Sequence, residues 1–495
     1  MLLIGVTGPA GSGKSTTLAE LAIWAASEGL GVDGFAQPAV GARTSPRRGA
    51  PGYDLERLGM AAGAASGSGW GTDSDVHAPV RLAFARRDRS KGSAIPYAFS
   101  ADALATAHGW VRTALAEGPP DLLLLDEFGR VEAEGGGHMA LWPEVEAAAP
   151  DIVVLAVREG VVSQVEGRLG RTFDRVVHLD PEPPADSAPG QPTPLEELRV
   201  LVLEQRDWSR VGVYGAGSGG FEWSVGSALH AVRVPMRGLV LSSTQAAVMV
   251  FAGAGLGRRG RVVWVPFIAA GIKALSPAGS RIRAMLAITI QGILFGGATR
   301  LLGWNALGIF AGGALVGSWA VSQGLFLQYL LIGSDLLVAY EAVVDWVVGR
   351  WNVGVPGIAL LLGAWVASWG FVSGTTALVA WRKGALPLRL SEALDRGASG
   401  IRWEEPAPTW SSAMGRGARD ILRPVFWLPV LLVLGILLSA GASWERAFWI
   451  GARALTVGMV VFSLVRAFDV RGFVQWLRHR GHWGPAVAFE RAMRR

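Results

Sequence analysis

Apolar residues follow two different patterns along this chain, and the change between them falls near residue 230. In the first stretch they form short runs. Residues 2 to 6 (LLIGV), 31 to 36, 121 to 127 (DLLLLDE) and 151 to 157 (DIVVLAV) read as strands, and apolar runs of this kind suit strands covered on both faces. Helix-like segments separate them, following Lys14, running from Ser100 to about Glu117 with Ser100 as the cap, and near 160 to 169. A last short strand is expected at Arg175 to Leu179, and the stretches Val80 to Arg86 and Ser93 to Phe99 alternate well enough for a hairpin. Residues 37 to 75, rich in Gly, Ala, Arg and Ser, give no assignment. The alternation predicts a parallel-sheet α/β domain over residues 1–180.

Beyond a proline- and acid-rich linker at 180–197, the apolar runs lengthen to membrane-spanning size. Eight spans are expected, at 238–256, 262–276, 284–300, 304–322, 325–348, 355–380, 424–442 and 447–466, the second and third being short. The layout is therefore an α/β domain (1–180), a linker and membrane approach (181–236), a six-helix membrane domain (237–380), a basic loop (381–423), a helix pair (424–466) and a basic tail (467–495). The glycine-rich stretch Val211 to Gly220 is expected to be a flexible approach to the membrane. Eight crossings would return both termini to one side.

Composition agrees with this division. Of 495 residues, 51 % are hydrophobic and 17 % charged, and the mean hydropathy of +0.34 is high for a water-soluble protein. A formal charge of +6 fits topology and anionic lipid better than nucleic acid, because the basic residues from Arg382 to Arg423 and from Arg471 to Arg495 would both lie on the cytoplasmic side of the eight-span layout. Arg258, Arg259 and Arg261 break the pattern, since that layout places them outside. With no cysteine, disulfides and cysteine metal sites are excluded.

The densest chemistry lies at the start. Gly8, Pro9, Ala10, Gly11, Ser12, Gly13, Lys14, Ser15 and Thr16 follow the first strand and open the first helix. This is the Walker A spacing, in which glycines turn backbone amides inward around phosphate oxygens. Lys14 would face the outer phosphates of ATP or another nucleoside triphosphate, and Ser15 would hold Mg2+ together with Asp126. Glu127 is the candidate to orient or deprotonate an attacking water. The chain is thus expected to be a Mg-dependent nucleoside triphosphatase. Arg158, Arg168 and Arg171 are better read as solvated than as a charge clamp.

Gly8 to Thr16, the helix before residue 121 and Asp126 to Glu132 (DEFGRVE) resemble the nucleoside-triphosphatase family first characterised from thermophilic organisms. The resemblance covers about residues 1–180. It implies a P-loop sheet, hydrolysis with relaxed base preference, and nucleotide and magnesium roles for Lys14, Ser15, Asp126 and Glu127. Glu132 matches a later glutamate of that family, and no role follows for it.

Within the apolar half, Gln291, Asn305, Gln323, Gln328, Asp335, Glu341 and Asp345 are the polar groups that would line a solute path or pack between helices. Residues 273–283 (KALSPAGSRIR), 291–297 (QGILFGG) and 318–323 (SWAVSQ) resemble the solute-binding subunits of energy-coupling-factor vitamin transporters. The glycines at 292 and 296, and at 308, 312, 313 and 317, suggest close helix contacts. The expected function is an inner-membrane triphosphatase that couples hydrolysis to movement of a small solute, with its α/β domain and termini cytoplasmic. The alternatives are a membrane-tethered regulatory triphosphatase and a nucleotide-sensing scaffold. A lipid bilayer and a small-molecule solute are the partners, with a homodimer or further transporter subunits open.

Overall fold

The computed structural model describes residues 1–40, 50–59, 81–88, 97–180, 192–231, 236–274, 281–351, 354–384 and 409–494. The chain divides into two compact units, Met1–Arg206 and Asp207–Arg495.

The first unit is built on one sheet. Its strands are Leu2–Gly8 (β1), Val32–Ala36 (β2), Ala39–Val40 (β3), Gly52–Arg57 (β4), Arg81–Arg87 (β5), Tyr97–Phe99 (β6), Leu122–Phe128 (β7), Ile152–Arg158 (β8) and Arg175–His178 (β9). They lie in the order β6-β5-β4-β2-β7-β8-β1-β9, with β3 paired to β4. The segment β2-β7-β8-β1-β9 is parallel, as the strand pattern predicts. An antiparallel extension, β4-β5-β6, joins it through β2, so the sheet is mixed and the stretch without assignment supplies part of one edge.

Burial explains the parallel half. β1 and β8 are buried at almost every position because side chains on both faces lie under helices or loops. The helices of this unit are Lys14–Ser27 (α1), Ala101–Glu117 (α2), Arg130–Ala133 (α3), Trp142–Ala148 (α4) and Val162–Leu169 (α5). Ser100 caps α2 as expected, its hydroxyl accepting from the Ala103 amide at 3.2 Å. The predicted hairpin is the β5–β6 pair, whose connection at 89–96 lies outside the described residues.

The second unit is helical. A long helix, Pro194–Ala231 (α6), contains the boundary between units, and Arg237–Ala254 (α7), Trp264–Ala274 (α8), Arg281–Leu302 (α9), Ala306–Ile332 (α10), Asp335–Trp351 (α11) and Val355–Lys383 (α12) follow. After the undescribed residues 385–408 come Trp410–Ile421 (α13), Pro424–Ser439 (α14), Trp444–Ala467 (α15), Val470–His479 (α16) and Trp483–Arg494 (α17). Val211 to Gly220 lies within α6 rather than in an open segment. Its glycines serve packing: a Cβ at Gly215 would stand 2.6 Å from the Ile268 Cβ, and one at Gly219 2.9 Å from that of Ile272.

Among the described residues four helices, not eight, are long and apolar enough to span a membrane: Ala284–Leu302, Ala306–Ile332, Val355–Lys383 and Trp444–Ala467. A fifth span arises if α13 and α14, bent by 50°, count as one. The reasons for the shortfall are physical. Helix α8 has 11 residues, about 16 Å of rise, roughly half a hydrocarbon core. Helix α10 continues through the expected break at 323–324, leaving α11 only the charged remainder with Asp335, Glu341, Asp345 and Arg350. Much of α7 is buried inside the unit.

Small residues set the helix contacts, as their spacing suggested. A Cβ at Gly313 would lie 2.7 Å from that of Ala377, and one at Gly317 2.7 Å from that of Ser373, so α10 and α12 touch nearly backbone to backbone. The Gly253 position abuts Trp304, at the α9–α10 turn, and Gly255 and Gly384 line one cavity. The ends of α7, α9 and α12 therefore meet at one end of the unit.

Candidate functional site

The N-terminal loop forms where β1 ends and α1 begins. Gly11 and Gly13 have φ of 87° and 90°, a left-handed conformation that side chains resist, and Gly13 is the N-cap of α1 with no side-chain cap. The first amides of α1 consequently face the loop, where the helix dipole favours an anion. Ser12 donates its amide to the Pro9 carbonyl at 3.2 Å. Lys14 Nζ donates to the carbonyls of Gly8 (2.8 Å) and Pro9 (3.0 Å), which folds the ammonium over the loop. Burial lowers the Lys14 pKa, opposed by the carboxylates of Glu127 and Asp126. Thr16 lies exposed on the first turn of α1.

Asp126 and Glu127 stand at the end of β7, which β8 separates from β1. The loop nonetheless reaches across β8: the Ser15 hydroxyl lies close enough to Asp126 to help hold its carboxylate ionised, and Lys14 feels the charges of both carboxylates. Gln37, just after β2, bridges Ser15 and Asp126: its carbonyl accepts from Ser15 Oγ at 3.3 Å and its amide donates to Asp126 Oδ2 at 2.7 Å. The other Asp126 oxygen accepts from the Glu127 amide at 2.8 Å. Asp126 is fully buried, and desolvation raises its pKa against the hydrogen bonds from the Ser15 hydroxyl and from the Gln37 and Glu127 amides.

At Glu127 the ladder with β8 shifts register and φ is +58°, a conformation that costs a non-glycine residue about 1 kcal/mol or more. Burial, and after it the Asp126 charge, push its carboxyl up to about 7, while Lys14 pulls the other way. Glu132, left without a role by the sequence, ties the following loop together. Its Oε2 accepts from the Gly129 amide (2.9 Å) and its Oε1 from the His138 amide (3.1 Å).

The donor set does not make the expected metal centre. Among the described residues, no group of three or more His, Asp or Glu side chains is arranged to hold a metal ion. Each Asp126 oxygen accepts from a backbone amide, and the Ser15 hydroxyl is shared between the Gln37 carbonyl and Asp126. The magnesium site at Ser15 and Asp126, the Mg-dependent triphosphatase built on it, and the metal–nucleotide cofactor (Mg2+ with ATP or another nucleoside triphosphate) are accordingly withdrawn, together with the Walker A and hydrolase descriptions.

Two residues that the sequence did not single out complete the network. Gln37 Nε2 lies 2.7 Å from His138 Nε2, and the His138 ring is enclosed by Phe35, Phe84, Phe128 and His108. Burial, and secondarily His108, lower the His138 pKa to about 3. A histidine after three glycines carries no periodic signal, so only the fold reveals it.

The polar residues of the helical unit are dispersed. Gln291 is buried on α9; Asn305 caps α10, accepting from the Gly308 amide at 3.0 Å; Gln323 donates to the Ala320 carbonyl at 3.1 Å. Gln328 is half-buried, and Glu341 and Asp345 are exposed. Asp335 pairs with Arg446 at 2.8 Å. Comparison with protein-family models, curated proteins and solved structures finds no match to this chain, and the two resemblances rest on the residues quoted for them.

Proposed function

We propose that this chain is a membrane-anchored, nucleotide-responsive protein whose Gly8–Ser15 loop takes up the phosphate of a nucleotide and whose helical unit holds it at a bilayer. The observation that carries the reading is the conjunction of left-handed Gly11 and Gly13, the Lys14 ammonium and the uncapped start of α1 at the edge of a parallel sheet. No hydrolytic step and no metal enter it. A bound phosphate would draw Lys14 from the Gly8 and Pro9 carbonyls, and the Ser15–Gln37–Asp126 bridge gives that change a route to β2 and β7.

Binding of a fluorescent nucleotide to the detergent-solubilised full chain, with a chelator present, tests the reading. Lys14→Ala is expected to weaken binding at least ~10-fold, the loss of one charge-assisted contact. Absence of binding, or equal binding by wild type and variant, would reject it.

The end of the helical unit bearing Arg258, Arg259, Arg382 and Lys383 is proposed to face the cytoplasm. Because the chain has no cysteine, Gly260→Cys and Ser334→Cys can be labelled singly with an impermeant maleimide. Gly260→Cys should react in inside-out vesicles and Ser334→Cys in right-side-out ones; the reverse pattern would invert the orientation.

A further inference from the structure

A cavity of about 270 Å3 opens in the second unit, between the N-terminal part of α6 in that unit and the C-terminal ends of α7 and α12. It is lined by Arg210, Tyr214, Phe251, Ala254, Gly255 and Gly384, among others. Liquid water takes about 30 Å3 per molecule, so the space admits a group several times larger.

Its lining is divided by chemistry. Arg210 and Tyr214 stand one turn apart on α6 and so share a face. Arg210 spends one guanidinium nitrogen on the Gly255 carbonyl, at the C-cap of α7. Gly255 permits this approach, since a Cβ there would collide with the guanidinium. A guanidinium carries five N–H donors, and among the described residues neither the rest of Arg210 nor the Tyr214 hydroxyl has a hydrogen-bond partner. Phe251 and Ala254 make the wall beyond them apolar.

The surrounding charge decides what such donors attract. Arg258 and Arg259 follow Gly255 within a few residues, and Arg382 and Lys383 precede Gly384. Asp207, the nearby acid, is taken up by Arg261 at 3.0 Å and by the amides of Gly257 (3.0 Å) and Arg258 (3.1 Å). The two helix C-termini contribute roughly half a negative charge each. Against them stand Arg210 and the basic residues Arg259, Arg382 and Lys383 that flank the cavity-lining glycines in sequence, and the balance favours an anion.

We infer that this cavity binds a phosphate group through Arg210 and Tyr214, with the apolar wall accepting whatever the phosphate carries. The source is either the headgroup of an anionic lipid or a free phosphate. The site is independent of the Gly8–Ser15 loop.

Isothermal titration of the detergent-solubilised full chain with dihexanoyl phosphatidic acid, dihexanoyl phosphatidylcholine and inorganic phosphate tests the inference. Phosphatidic acid should bind at least ~10-fold more tightly to wild type than to Arg210→Gln, and ~3-fold more tightly than to Tyr214→Phe. Ala254→Phe, at an exposed position that keeps Arg210, should abolish binding by filling the space; thermal unfolding verifies that each variant folds. Competition by inorganic phosphate identifies a free-anion site, and its failure to compete identifies a lipid headgroup site. The inference is overturned if neither phosphatidic acid nor inorganic phosphate binds, if phosphatidylcholine binds as well as phosphatidic acid, if Arg210→Gln and Ala254→Phe bind undiminished, or if Arg259→Gln weakens binding as much as Arg210→Gln.

Discussion

The two units of this protein use the same apolar residues in opposite directions. In the first, Leu122 to Leu125 and Ile152 to Val157 are turned wholly inward. In the second, Leu360, Leu361 and Leu362 on α12 are 73, 66 and 59 % exposed, and glycine, alanine and serine occupy the contact between α10 and α12. The first unit is held by removal of hydrocarbon from water. The second is shaped for a solvent as apolar as its own surface, so close packing and isolated polar bonds must hold it instead.

This contrast can be broken most sharply at a buried ion pair. Asp420 accepts from Arg466 at 2.7 and 2.9 Å, and both side chains are nearly inaccessible. Asp420→Ala would strand the guanidinium at a cost of about 3–5 kcal/mol. Loss of α13–α15 protection from hydrogen exchange, with the first unit unchanged, would show it. A smaller but more direct comparison sets Leu124→Ala against Leu361→Ser. The first should destabilise its unit by about 2–5 kcal/mol, through lost burial and a cavity. The second should change detergent-state stability by no more than ~0.5 kcal/mol. Similar effects for both would remove the distinction.

Acid should divide the first unit's own groups. His138 is held neutral, with its pKa lowered to about 3, whereas the unfolded chain protonates near 6.5. Its contribution is therefore complete above pH 6.5 and is lost as pH falls from there toward 3. Glu127, raised to about 7, acts oppositely: its burial penalty is relieved as pH falls from about 7 toward its unfolded value. Each slope is at most about 1.4 kcal/mol per pH unit. Between pH 6.5 and 4.5, His138→Phe should make β1 and β7 amide protection rise relative to wild type on acidification, and Glu127→Gln should make it fall. Parallel profiles would contradict the assigned burial.

Much of the parallel sheet was readable because runs such as LLIGV and IVVLAV have few alternatives to a strand covered on both sides, and because Ser100 stands where a cap belongs. The β3–β4 edge was hidden in a Gly- and Ala-rich stretch that lacks alternation. Span number was misread because hydropathy counts apolar residues without asking what covers them: α7 and α8 are apolar, but one is largely enclosed by its own unit and the other is too short. At the loop, Gly11, Gly13 and Lys14 were legible from spacing. Gln37 and His138 were not, since their importance comes from β2 and the loop after α3 being brought together across the sheet.

The proposed grip on phosphate by the loop between β1 and α1, in a protein with candidate membrane-spanning helices, is open to direct test. Hydrogen exchange of the full chain in nanodiscs, with and without nucleotide and with chelator present, tests it most directly. Slower exchange is predicted at residues 11–17 and around Gln37, and no such change in Lys14→Ala. Unchanged exchange at that loop in the wild type, or equal slowing in the variant, would contradict the account.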